Sequence, residues 1–154
     1  MVAGQQVNSL VVERVGRVYQ WLDEQLHQAG HKAAACDGCG KCCDFDAFDH
    51  RLFVTPPELI YLAANLSGQT LRPMTTGRCP YNIVVKCSVY DYRFAGCRIF
   101  CCKPVRSVVE GGDNDFQGRL SESALKEFKS ICTEFDIPYR YADLAAALNS
   151  LAGA

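Results

Sequence analysis

The sequence predicts an α+β chain in which helices pack on a short antiparallel β element around a cysteine-rich centre. Three observations carry this. Apolar residues recur at helical spacing near both ends, a β-branched and aromatic run occupies the middle, and ten cysteines crowd the chain. At 154 residues the protein suits one domain with a helical arm. The expected parts are an N-terminal amphipathic helix over 1–30, a cysteine-rich metal-binding domain over 31–138 and a C-terminal helix over 139–154.

Taken in order, Asn8 to His27 reads as an amphipathic helix. Val11, Val15, Val18, Leu22 and Leu26 form one stripe at spacings of three and four, widened by Leu10 and Trp21. Gly30 is the expected stop. A stripe of this length outside the cysteine region also suits a homodimer formed through the helix. The stretch from Asp44 to His50 alternates acidic and aromatic residues and reads as a solvated loop or strand edge. Arg51 to Val54 is a short strand candidate. Thr55-Pro56-Pro57-Glu58 then carries the residues of a capping box, with Thr55 as N-cap and proline at N1. That helix is expected to run through Leu66 and end at Ser67-Gly68. Residues 69–77 read as loop.

Cys79 to Tyr90 reads as a strand or hairpin with a cysteine near each end. Asp91 to Cys102 is expected to be a turn leading into further cysteines, and Val105 to Glu110 another strand. Gly111 to Asp115 is rich in turn formers. Ser121 is placed as the cap of a helix through Leu125, Phe128, Ile131 and Cys132, broken at Ile137-Pro138. The last helix, from Tyr141 to Leu151, sets Leu144, Leu148 and Leu151 on one side.

The net charge is −1 and the basic residues form no run, so neither nucleic acid nor a membrane is an expected partner. No apolar stretch approaches the roughly 20 residues that span a bilayer. The first residues do not read as a secretory signal. A cytoplasmic location is therefore expected, where thiols stay reduced and clustered cysteines point to metal.

The densest signal is Cys36-Asp37-Gly38-Cys39-Gly40-Lys41-Cys42-Cys43. Two-residue spacers let successive sulfurs turn toward a common point, as a tetrahedral metal or an iron–sulfur cluster requires. Glycines in the spacers permit positive φ and let N–H groups point at sulfur. A second group follows at Cys79, Cys87 and Cys97, with Cys101 and Cys102 beyond and Cys132 as a late single. Cys36, Cys39 and Cys42 match the first three positions of the bacterial ferredoxin run, but Asp46 stands at the fourth. The Cys36-x-x-Cys39-Gly40 unit is similar to half a zinc ribbon that lacks its other half. Cys42 and Cys43 are neighbours whose side chains ordinarily diverge, which favours a multi-metal cluster over one tetrahedral ion. Lys41 and Arg98 stand near the sulfurs in sequence, and read either as offsets to thiolate charge or as ordinary surface charge.

These motifs, with Gly77-Arg78-Cys79-Pro80, Cys87-Ser88-Val89-Tyr90 and Cys97-Arg98-Ile99-Phe100, resemble the CxxCxxCC (YkgJ-type) family of zinc- or iron-chelating domains. The resemblance spans residues 36–102 and extends toward Cys132. One departure is that Phe94, not proline, follows Arg93. The resemblance implies a cysteine-liganded metal domain, with Cys36, Cys39, Cys42, Cys43, Cys79, Cys87, Cys97 and Cys132 at the matching positions.

The function expected is metal binding, with an iron–sulfur cluster in an electron-transfer or accessory redox role and a protein partner of unspecified identity. The alternatives are a zinc-binding structural or interaction module and a metallochaperone. A metalloenzyme would need an open coordination position beside a base such as Asp44, Asp46, Asp49, His50, Tyr90 or Asp91.

Overall fold

A computed structural model describes residues 2–30, 40–48, 51–68, 70–84, 86–100 and 112–152. The class is α+β: six helices and two small antiparallel pairs among the described residues. Helix α1 spans Val2–Gln28, starting earlier than its apolar stripe suggests. It stops where expected, with Gly30 at φ 61° and its N–H donating to the His27 carbonyl. Val11, Val15, Val18, Tyr19, Leu22 and Leu26 are buried together with Leu120, Ala124, Phe128 and Ile131 of α5 (Gly112–Glu134). The stripe is thus covered within the chain. Leu10 and Trp21, expected to widen it, are exposed instead.

Helix α2 (Phe45–Phe48) is a single turn where a loop or strand edge was expected. Asp44 starts it, its Oδ1 accepting the Ala47 N–H at 3.1 Å. Strand β1 (Phe53–Val54) leads into α3 (Pro56–Ala64). Glu58 reaches back from the first turn, and its Oε2 accepts both the N–H and the hydroxyl of Thr55 at 2.9 Å. The helix ends at Ala64, so Leu66 lies beyond it.

The central hairpin is shorter than its apolar run. Strand β2 (Asn82–Ile83) pairs with β3 (Lys86–Cys87), placing Asn82 opposite Cys87. The segment read as a turn after Asp91 holds a 3-10 turn, Tyr90–Tyr92, and a helix α4, Ala95–Ile99. Helix α5 starts nine residues before the expected cap Ser121, in the stretch read as loop. Packing overrides the local turn signal there. Leu120 is buried, Phe116 packs on the α1 core, and Gln117 donates to the Ile99 carbonyl at 3.1 Å. Strand β4 (Ala142–Asp143) pairs with β1, and α6 (Leu144–Ala152) follows. Tyr141 therefore precedes the last helix, and Leu151 is exposed while Leu144 and Leu148 are buried.

Two apolar clusters result. One joins α1, α4 and α5. The other, around Val54, Leu62, Tyr81, Val89, Phe94, Leu144 and Leu148, supports the loops that carry the cysteines. Among the described residues no helix is long and apolar enough to cross a membrane.

Candidate functional site

Five cysteines line one cavity of about 180 Å³: Cys42, Cys43, Cys79, Cys87 and Cys97. Four separate stretches deliver them. Gly40, at φ 75°, turns the chain into the short 3-10 helix Lys41–Cys43. A positive φ suits glycine because a Cβ would strain the backbone there. Both neighbours, Cys42 and Cys43, face the same cavity, where divergence was expected. Cys79 is clamped beside them, its N–H donating to the Cys43 carbonyl at 2.9 Å. The adjoining Phe45 N–H donates to Gly77 at 2.9 Å, and Arg78 pairs with Asp44 at 2.9 Å. Cys87 sits on β3 and Cys97 on α4.

The thiols act on one another. Cys43 lies within hydrogen-bonding reach of Cys42, Cys79 and Cys87, and this contact raises its pKa by favouring the protonated form. The same contact from Cys43 lowers Cys79, and lowers Cys87 to about 7. Cys97 is pushed up by desolvation, reinforced by the nearby Cys79 and Cys87. The thiolate, not the thiol, is the nucleophile and metal ligand, so this division makes Cys79 and Cys87 the thiols that ionise first.

Two residues given no site role by the sequence shape this cavity. Asn82 donates from Nδ2 to the Gly40 carbonyl at 2.7 Å, tying the hairpin to the Cys42–Cys43 turn. Its Oδ1 is buried with no hydrogen-bond partner among the described residues. Arg93 lines the cavity and lowers the proton affinity of Cys87 and Cys97. It is held by its Nε donating to the Tyr90 carbonyl at 2.9 Å, with the guanidinium 3.8 Å from the Tyr90 ring centre. No local pattern signals either role, since each partner set is assembled by the turn around Tyr90 or by the hairpin.

The cations expected to offset thiolate charge behave differently. Lys41 is exposed and outside the cavity lining. Arg98 is buried but serves the fold: it pairs with Asp23 at 2.7 Å, donates to the Asp91 and Arg93 carbonyls at 2.9 Å, and stacks on Tyr19. Arg93 takes the place at the thiols.

Cys132 is buried in α5 and does not line the cavity. The carboxyl of Asp44 is engaged with Ala47 and Arg78, which hold it below its ordinary value. Cys36, Cys39, Cys101, Cys102, Asp49 and His50 lie outside the described residues, as does the strand expected over 105–110. Among the described residues, no three His, Cys, Asp or Glu side chains form a group able to hold a metal ion by themselves. No family model matches the chain, and no curated protein or solved structure matches it.

Proposed function

We propose that this chain is a cysteine-liganded metal-binding protein that carries an iron–sulfur cluster, in an electron-transfer or accessory redox role. The observation that supports it is the convergence of five thiols, from four stretches, on one largely apolar cavity. Cysteines needed only for packing would be dispersed through the core, as Cys132 is. The donor set is all sulfur, which suits iron–sulfur or zinc over hard cations. Two adjacent cysteines in one cavity suit a cluster, whose ligand positions are spread, better than one tetrahedral ion.

Cys42, Cys43, Cys79, Cys87 and Cys97 are the described residues that would hold the group, and Cys36 and Cys39, outside the described residues, are further candidates. When bound, the cluster supplies one-electron chemistry. The chain's own residues supply the rest. Arg93 sets a positive charge against the thiolates. Asn82 fixes the Cys42–Cys43 turn against the hairpin. Leu52, Val89 and Phe94 line the cavity and keep it apolar.

Anaerobic purification followed by iron, zinc and acid-labile sulfide analysis and an absorption spectrum tests the reading. Iron and sulfide in matching amounts with broad visible absorption are expected, and Cys43→Ser or Cys87→Ser should lower both while Cys132→Ser spares them. A colourless, zinc-loaded protein would overturn the redox role. Metal-free protein from every preparation would overturn metal binding itself.

A further inference from the structure

The cavity has a second half with a different chemistry. Its opening is edged by Phe53, Phe100 and Tyr141, which are 41%, 37% and 49% exposed. Three large apolar side chains, each partly exposed and lining one cavity, are a patch rather than scattered exposure. Phe53 and Tyr141 lie with ring centres 5.3 Å apart, so the edge is an aromatic wall. Two arginines, Arg51 and Arg93, are among the residues that line this apolar surface, and Arg51 also lines a neighbouring cavity with Asp46 and Asp143. Arg93 is fixed on Tyr90 and forms no ion pair among the described residues. Arg51 is exposed and likewise has no carboxylate within ion-pair distance among the described residues.

An aromatic wall with planar cations beside it recognises a flat apolar body that carries a carboxylate. The ring lies on the aromatic edge, and the acid meets guanidinium bidentately. We infer that the mouth of the thiol cavity is a binding site for a small aromatic carboxylate, seated against the wall that Phe53 and Tyr141 form together, with its acid on Arg51. The inference deepens the thiol-site reading, since the ligand would lie over the metal-bearing wall.

The test is a ligand-observed NMR titration of the metal-loaded protein with benzoate and with its uncharged isostere benzamide. One benzoate per chain is expected, bound about tenfold or more tighter than benzamide. Arg51→Gln should abolish that preference, and Phe53→Ala should weaken both ligands. Arg51 and Phe53 are exposed, so both variants should fold, and their metal content should equal that of the parent protein. Equal binding of the two ligands, or a preference that survives Arg51→Gln, would overturn the inference. So would binding of neither, which would leave the aromatic edge to a macromolecular partner. Metal analysis on the same samples separates the two readings: selective benzoate binding by protein that never acquires metal would sink the metal reading and leave this one standing.

Discussion

Glu58 is the most constrained ionisable residue described. It is 2% exposed, and donors surround its carboxyl: the Thr55 N–H and hydroxyl on Oε2, the Ala95 N–H at 2.8 Å and the Tyr19 hydroxyl at 3.4 Å on Oε1. Burial raises its pKa above the ordinary 4.5, and these hydrogen bonds oppose the shift only in part. The folded state therefore holds this proton more tightly than the unfolded chain does. The stability it contributes is fully present below about pH 4.5 and is lost as pH rises through the raised folded value. Glutamine at this position cannot titrate, and its amide NH₂ would face one set of donors. Glu58→Gln should cost about 1–3 kcal/mol near pH 5, and the gap should narrow toward pH 8. Denaturant midpoints at the two pH values check this; a gap that stays constant would show that the carboxyl does not titrate as described.

At the scale of elements, α4 and the hairpin show why the site is built as it is. Phe94 precedes α4 and makes no side-chain cap. The cap is instead the Glu58 carboxyl, 37 positions away, receiving the Ala95 N–H. Cys97 on that short helix is thus positioned from α3. Arg98 pins the same helix to α1 through Asp23 and holds the Asp91–Arg93 turn by its carbonyls. In the hairpin, Val84 is 89% exposed at φ 52°. A β-branched residue is strained there, although a two-residue hairpin turn favours positive φ. Asparagine visits that region at little cost, and no burial is lost. Val84→Asn should therefore stabilise the protein by about 0.5–1 kcal/mol. An upward shift in the thermal midpoint with unchanged metal content checks it; a lower midpoint would mean that the valine side chain has a partner of its own.

At the scale of the molecule, the helical cluster and the site-bearing cluster carry different loads. Phe128 is fully buried against α1, with its ring edge-on to Tyr19 at 6.2 Å. Phe128→Ala should cost about 3–5 kcal/mol, lowering the thermal midpoint by roughly 10 °C. Calorimetry reads this, and a shift of only a degree or two would show that the helical cluster closes over the gap. The site-bearing cluster surrounds two-residue strands, which give little support alone. Removing metal anaerobically with a chelator should lower the thermal midpoint, because a site joining four stretches adds its binding free energy to folding. A midpoint unmoved by chelation would mean that the loops hold their places without metal.

The amino-acid sequence by itself determined what is written within a few neighbouring residues. Gly30 as a helix stop, the Thr55–Glu58 cap, the buried stripe of α1 and the α+β class are of this kind, because hydrogen bonds and side-chain periodicity act over one or two turns. Long-range packing decided the rest. Helix α4 is capped by Glu58, Gly112 to Asp115 is helical because the following turns pack on α1 and α4, and Cys42 and Cys43 turn to one side under the Cys79 and Asn82 clamps. The same physics separates the two arginines. Arg98 and Arg93 look alike in sequence, but burial commits the first to Asp23 and backbone carbonyls, while the Tyr90 turn sets the second at the thiols. A charge acts where the fold brings partners to it, and those partners lie up to 75 positions away along the chain.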